Sequence, residues 1–190
     1  MTAETQSALR PPAELPGDVP AVERLRRIVR VDHAGEYGAR RIYQGQLAVL
    51  DPRSPAAAKI RHMADQEREH LEEFERQIAA RGTRPTALLP IWHVAGFALG
   101  AVTALMGEKA AMACTVAVEE VIDSHYARQR QELGPEEAPL SDVIEQFRLD
   151  EVEHRDTAEA HGGTEIPGYT VLSGAIKTGS KLAIWLSERI

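Results

Sequence analysis

Two stretches of the chain repeat one chemical pattern. Asp65-Gln66-Glu67-Arg68-Glu69-His70 and Asp150-Glu151-Val152-Glu153-His154 each place a glutamate three residues before a histidine. On a helix that spacing turns through about 60°, so the carboxylate and the imidazole can face one bound object. A single Glu-x-x-His arises by chance on any solvated helix face, but here two further acids stand at matching distances. Glu36 lies 31 residues before Glu67, and Glu119 lies 32 before Glu151. The midpoints of both intervals fall on turn signals, Asp51-Pro52 and Gly134-Pro135. In an antiparallel hairpin, residues equidistant from the turn sit at one height, here roughly 20 Å from it at about 1.5 Å per residue. Each hairpin then sets one glutamate against a Glu-x-x-His. Tyr43 and Tyr126 follow Glu36 and Glu119 by seven residues each, which points to an internal duplication.

Packing two such hairpins together brings four carboxylates and two imidazoles to one level of a bundle. Like charges a few ångströms apart in an apolar interior must be protonated or offset by cations. Two divalent ions would supply that offset. A shell rich in oxygen, with imidazole and no thiolate, suits Fe(II) or Mn(II) better than Zn(II). We assign Glu36, Glu67 and His70 to one ion and Glu119, Glu151 and His154 to the other, with Glu67 and Glu151 as bridges. This is the ligand pattern of ferritin-like di-iron and di-manganese carboxylate bundles. Further candidates lie nearby. Tyr126 is only about 20° from the Glu119 direction, whereas His125 is about 120° away. Tyr126 and His125 are the candidates to carry electrons or steady the ligands; Tyr126 could also orient a substrate or simply fill the core. His33, one turn before Glu36, and Asp123, four residues after Glu119, could brace ligands or serve packing alone.

The elements that must position these residues read as helices throughout. Apolar residues recur at helical spacing from Val22 onward, and breakers divide the chain into helices of roughly 21–50, 54–82, 88–106, 108–133, 141–161 and 173–188. No stretch shows sustained strand alternation between hairpin turns. The predicted class is all-α: a ferritin-like four-helix bundle carrying the metal site, plus two additional apolar or amphipathic helices. Residues 1–20 hold four prolines, scattered acids and no apolar run, so they read as a disordered tail before a single domain of residues 21–190.

The two extra helices have their own chemistry. Residues 88–106 contain no Asp, Glu, Lys or Arg and are just long enough to span a bilayer. Pro90, His93, Gly96, Gly100 and Thr103 weaken that reading, leaving an interfacial helix or a buried one as alternatives. Gly96-x-x-x-Gly100 equally suits close packing on a neighbouring helix. The last helix sets Leu172, Ile176, Leu182, Ala183 and Leu186 against Lys177 and Lys181, with Trp185 near its end. That pattern fits a lipid interface or ordinary amphipathic packing. A net charge of −7 over 190 residues argues against a nucleic-acid partner bound through a broad basic face. The single cysteine, Cys114, excludes an internal disulfide and suits a reducing cytoplasm.

Taken together, Arg30-Val31-Asp32-His33-Ala34-Gly35-Glu36-Tyr37-Gly38, the two Glu-x-x-His runs and Thr115-Val116-Ala117-Val118-Glu119-Glu120 resemble the demethoxyubiquinone hydroxylase family. Leu89-Pro90-Ile91-Trp92, Gly96-Phe97-Ala98-Leu99-Gly100 and the terminal Leu186-Ser187-Glu188-Arg189-Ile190 extend the resemblance from about Arg27 to Ile190. The six ligand positions of that family fall on the six residues chosen above. The resemblance implies a di-iron monooxygenase of ubiquinone biosynthesis that hydroxylates the ring of a demethoxyubiquinol with O2. It also implies NADH or the quinol itself as electron source. It implies peripheral attachment to the cytoplasmic side of a bacterial inner membrane, and other ubiquinone-biosynthesis proteins or further copies of the chain as partners. Two alternatives stand beside it: a ferritin- or rubrerythrin-like protein handling iron or peroxide, and a metal-stabilised bundle that binds quinone or a partner without turnover.

Overall fold

The computed structural model describes residues 19–190, and the expected tail over residues 1–20 falls almost wholly outside them. Helix α1 (Ala21–Leu47) pairs with α2 (Pro55–Ala80), and α4 (Glu108–Glu132) pairs with α5 (Ala138–Ala160). Between the pairs runs α3 (Leu89–Leu105), and α6 (Tyr169–Ser187) closes the chain. There is no strand among the described residues. The all-α expectation holds, with six α-helices as read.

Local chemistry sets the ends. Ser54 accepts a hydrogen bond from the Ala57 amide at 3.1 Å and Pro55 occupies the first turn of α2, the N-terminal signature expected there. Two other boundaries differ from the expectation. Helix α5 begins at Ala138, three residues before Ser141, because Pro139 fits the first turn, where no intrahelical amide bond is needed. Helix α6 begins at Tyr169, directly after Gly168, whose positive φ of 78° reverses the chain. Gly107, at φ 113°, does the same between α3 and α4.

Two apolar clusters fill the bundle. One gathers Val29, Phe74, Ile122, Tyr126 and Ile144; the other gathers Tyr43, Ile60, Met63, Met112 and Ala158. On each of α1, α2, α4 and α5 the glutamate of interest falls between residues of the first cluster and residues of the second. A polar layer is thus sealed above and below by apolar side chains.

Helices α3 and α6 lie outside this bundle. Helix α3 packs along α1 so closely that a Cβ on Gly45 would collide with the Phe97 carbonyl, and one on Gly100 with the Ile42 carbonyl. Gly96-x-x-x-Gly100 is therefore a packing stripe; Gly45 on the facing helix completes it and went unrecognised in the sequence. Helix α6 packs along α4 and is tied to α3 by the Trp92 indole, which donates to Ser187 Oγ at 3.0 Å. Among the described residues no helix is long and apolar enough to cross a membrane. The outer faces of α3 and α6 nonetheless expose Ile91, Val94, Val102, Leu105, Val171, Leu182 and Trp185.

Candidate metal centre

All six residues singled out by spacing meet in the polar layer. Glu36 comes from α1, Glu67 and His70 from α2, Glu119 from α4, and Glu151 and His154 from α5, and each is buried. Their donor atoms form two groups, Glu36, Glu67, His70 and Glu151 in one and Glu67, Glu119, Glu151 and His154 in the other, with the atoms of each within 4.8 Å of one another. Glu67 and Glu151 belong to both groups. The hairpin geometry explains this: acids equidistant from each turn are brought level, and the two hairpins then face each other.

Both histidines turn Nδ1 inward. His70 Nδ1 lies 3.5 Å from Glu36 and 3.4 Å from Glu151; His154 Nδ1 lies 3.3 Å from Glu67 and 3.0 Å from Glu151. Their outer Nε2 atoms are each engaged at 3.1 Å, His70 by Asp150 Oδ2 and His154 by Gln66 Oε1. The two tyrosines of the duplicated pattern cross over. Tyr43 on α1 donates to Glu119 Oε1 at 2.6 Å, and Tyr126 on α4 donates to Glu36 Oε1. Each hydroxyl fixes the carboxylate of the opposite hairpin.

Electrostatics define what this layer can hold. Burial, then the Glu151 charge, pushes the Glu67 carboxyl well above the usual carboxylate range, and the same two causes raise Glu119. Burial opposes ionisation of Glu151 too, but the neighbouring His154 and His70 imidazoles outweigh it and hold that group at about 2. Burial likewise opposes the charge on His70, yet the Glu151 and Glu36 carboxylates raise it to about 12. Without cations, burial and mutual repulsion thus favour protons on Glu67 and Glu119. Even so, Glu36 Oε2, both Glu67 oxygens, Glu119 Oε2, Glu151 Oε1 and His70 Nδ1 are buried with no hydrogen-bond partner. Unpartnered buried oxygens and nitrogens are costly, and a divalent cation in each donor group would satisfy them. Such binding would displace those protons.

The remaining expectations divide. Asp123 does not reach an imidazole: Arg148 Nη1 holds it at 2.7 Å and Arg155 lies 3.8 Å away on the outer surface. Asp150 and Gln66 occupy the position expected for it. Both directly precede the glutamate of a Glu-x-x-His, so alignment of the two repeats would have paired them. His125 does not reach the four glutamates of the layer; it contacts Gln129 at 2.8 Å and Asp32 at 3.4 Å, and lines a pocket rimmed by Arg24, Arg27, Arg128 and Arg189. His33 is buried, with Nδ1 unpartnered, and burial lowers its pKa.

A cavity of about 600 Å³ runs along the other side of the layer. Its floor is α1 and α4, through Ala34, Gly35, Gly38 and Val118, and its walls are α3 and α6, through Leu99 and Ile176. These floor residues flank Glu36 and Glu119 along their helices. A Cβ on Gly35 or Gly38 would meet nothing within 4 Å, so the missing side chains widen the cavity instead of easing a helix contact.

Comparison with known proteins gives one consistent result. The chain is 58% identical to 3-demethoxyubiquinol 3-hydroxylase of Rhodospirillum rubrum over 176 residues, covering 93% of this chain and 83% of that protein. It is 53% identical to the mitochondrial NADPH-dependent 3-demethoxyubiquinone 3-hydroxylase of Rattus norvegicus, over 86% of this chain and 76% of that one. With the mitochondrial 5-demethoxyubiquinone hydroxylase of Saccharomyces cerevisiae it shares 44% identity over 87% of this chain and 78% of the relative. Residues 23–187, which take in all but the first two residues of the bundle helices and every acid of the polar layer, match the family described as ubiquinone biosynthesis protein COQ7, and the chain belongs to that family.

Proposed function

We propose that this chain is an O2-dependent hydroxylase of the ring of demethoxyubiquinol, using two iron ions held by Glu36, Glu67, His70, Glu119, Glu151 and His154. The observation that carries the reading is the conjunction of a buried layer of four carboxylates and two imidazoles with an apolar cavity against one side of it. The names of the relatives supply the substrate class. When bound, a pair of redox-active ions supplies the electrons that activate O2. The residues do the rest. Glu67 and Glu151 lie in both donor groups and would bridge, while Glu36 and Glu119 complete one group each. Tyr43 and Tyr126 hold the terminal carboxylates in single orientations, and the two apolar clusters keep water from the layer.

The cavity binds the organic substrate. Its lining is nearly all apolar, which suits a quinol ring and the first part of a polyprenyl tail. The exposed apolar rows of α3 and α6 flank the cavity and would rest on the lipid surface, so that the tail passes from the bilayer between them. We place the protein peripherally on the cytoplasmic side of a bacterial inner membrane, with a reduced nicotinamide nucleotide as electron source.

The test is direct. Protein loaded anaerobically with Fe(II), then given a short-chain demethoxyquinol analogue and O2, is expected to yield a product one oxygen atom heavier by mass spectrometry. Vigorous O2 consumption or iron mineralisation with no change in the ring would overturn the reading in favour of a ferritin- or rubrerythrin-like role.

A further inference from the structure

The internal symmetry of the centre breaks at one pair of positions. The residue before the glutamate of each Glu-x-x-His reaches across to the outer nitrogen of the opposite histidine. Asp150 Oδ2 does so to His70 Nε2, and Gln66 Oε1 to His154 Nε2, both at 3.1 Å. The distances match and the charges do not. Either contact is made by an Nε2–H donor, which leaves Nδ1, already turned into the carboxylate layer, as the electron-pair donor of a neutral imidazole. A carboxylate acceptor draws that proton more strongly than an amide carbonyl and makes Nδ1 the better donor. The surroundings reinforce the difference. Gln146 Nε2 donates to the other Asp150 oxygen at 3.3 Å, and the His70 ring stacks on Phe147 with centroids 3.9 Å apart. Among the described residues the aromatic neighbour of the His154 ring is Tyr43, edge-on at 6.3 Å.

We infer that Asp150 and Gln66 are positioning residues that make the two metal positions unequal, so that the position on His70 fills first and holds its ion more tightly than the position on His154. This rests on the two-ion reading above. Outer partners of ligand imidazoles change metal affinity by about 10–100-fold when altered. A gap of about tenfold or more between the two dissociation constants is therefore expected.

The experiment uses the full chain labelled with 15N-histidine and titrated with Zn(II), a redox-silent probe, while the ring nitrogens are followed by NMR. His70 Nδ1 is expected to respond over the first equivalent and His154 Nδ1 over the second. The double variant D150N/Q66E exchanges the two partners with little change of shape and is expected to reverse that order. If it loses helical circular dichroism, D150N alone carries the test, with the two histidines then responding together. Simultaneous response in the unaltered chain, or an order unchanged by the exchange, would overturn the inference. Absence of any histidine response would instead sink the two-ion reading, whereas uptake of two ions in one step would sink only the inequality.

Discussion

On the α1–α4 side of the polar layer each helix brings a glutamate and a tyrosine, and α3 and α6 lie over them around an apolar cavity. On the α2–α5 side each helix brings a glutamate and a histidine, no further helix among the described residues covers them, and the outer surface exposes Asp65, Glu69, Glu72, Glu153 and Asp156. The acids common to both donor groups, Glu67 and Glu151, belong to the uncovered side; those in one group each, Glu36 and Glu119, belong to the covered side. The side that would hold two ions together is thus not the side that would meet an organic molecule. On the proposed function, substrate access and the bridging of the ions would fall to different helices.

The largest expected effect breaks this division directly. Glu151→Ala removes an oxygen donor from both groups and is expected to abolish binding of both ions, and turnover with it. Glu119→Ala removes a donor from one group and should leave about one ion per chain while still abolishing turnover, since the chemistry needs the pair. Metal analysis after gel filtration decides the matter: equal losses in the two variants would erase the distinction between the sides.

Next in size is an effect on stability, on the covered side. Asp32 lies one turn before Glu36, buried, with its carboxyl accepting from Gln129 Nε2 at 2.6 Å. Burial, against the pull of His125, raises it from 3.8 to about 6. Because the folded value is raised, the folded state binds this proton more tightly than the unfolded one. The stability this confers is full below about pH 4 and is lost as pH rises to about 6. At about 1.4 kcal/mol per pKa unit the loss is about 3 kcal/mol. Asp32→Asn imitates the protonated acid, so the stability of the metal-free wild type relative to this variant should fall across that window and stay flat above it. Urea denaturation at several pH values measures the difference; no slope between pH 4 and 6 would contradict the burial of a titrating acid there.

Filling the cavity tests the covered side without touching the layer. Gly38→Leu places a side chain into open space and replaces a poor helix former with a good one. The melting temperature is expected to hold or rise and metal content to stay unchanged, while KM for a demethoxyquinol rises on the order of a hundredfold, the scale of a lost pocket contact. An unchanged KM would move substrate binding to another surface.

The six helices and the gathering of the six acids and histidines at one level were legible because helical period and distance from a turn are properties of the chain itself. Glu36 and Glu119 could be matched to Glu67 and Glu151 by arithmetic on sequence positions. What escaped depends on contacts between helices. Asp150 reaches a histidine on α2 and Gln66 one on α5, and neither partner is close in sequence. Asp123 shares a helix with Glu119 and was the natural candidate, but it points outward, where Arg148 claims it. The crossing of Tyr43 and Tyr126 to opposite hairpins could not be read from their spacing either. That spacing fixes a direction around one helix and says nothing about what stands across from it. The cavity owes its existence to α3 and α6 standing apart over α1 and α4, which no local pattern encodes.

The smallest expected effect concerns the outer surface and asks whether the two sides also differ in what they face. Val94 and Leu105 on α3 are 66% and 74% exposed, an arrangement that leaves apolar area in water unless another surface covers it. Leu149 on α5 is 48% exposed on the opposite side and stands among charged neighbours. If the covered side rests on lipid, Val94→Glu and Leu105→Glu each place a charge where an apolar side chain would be buried. Sedimentation with anionic liposomes should then weaken about tenfold per site, at about 25 cal/mol per Å² of apolar surface lost from the interface. Leu149→Glu should change nothing. Turnover of a short-chain, water-soluble quinol should survive all three substitutions, because none of them alters the cavity floor or the polar layer. Equal weakening by Leu149→Glu would mean that lipid contact is not confined to one side. Liposome binding unaffected by the α3 substitutions would leave those rows to a protein partner, and the division between a membrane side and a water side would no longer stand.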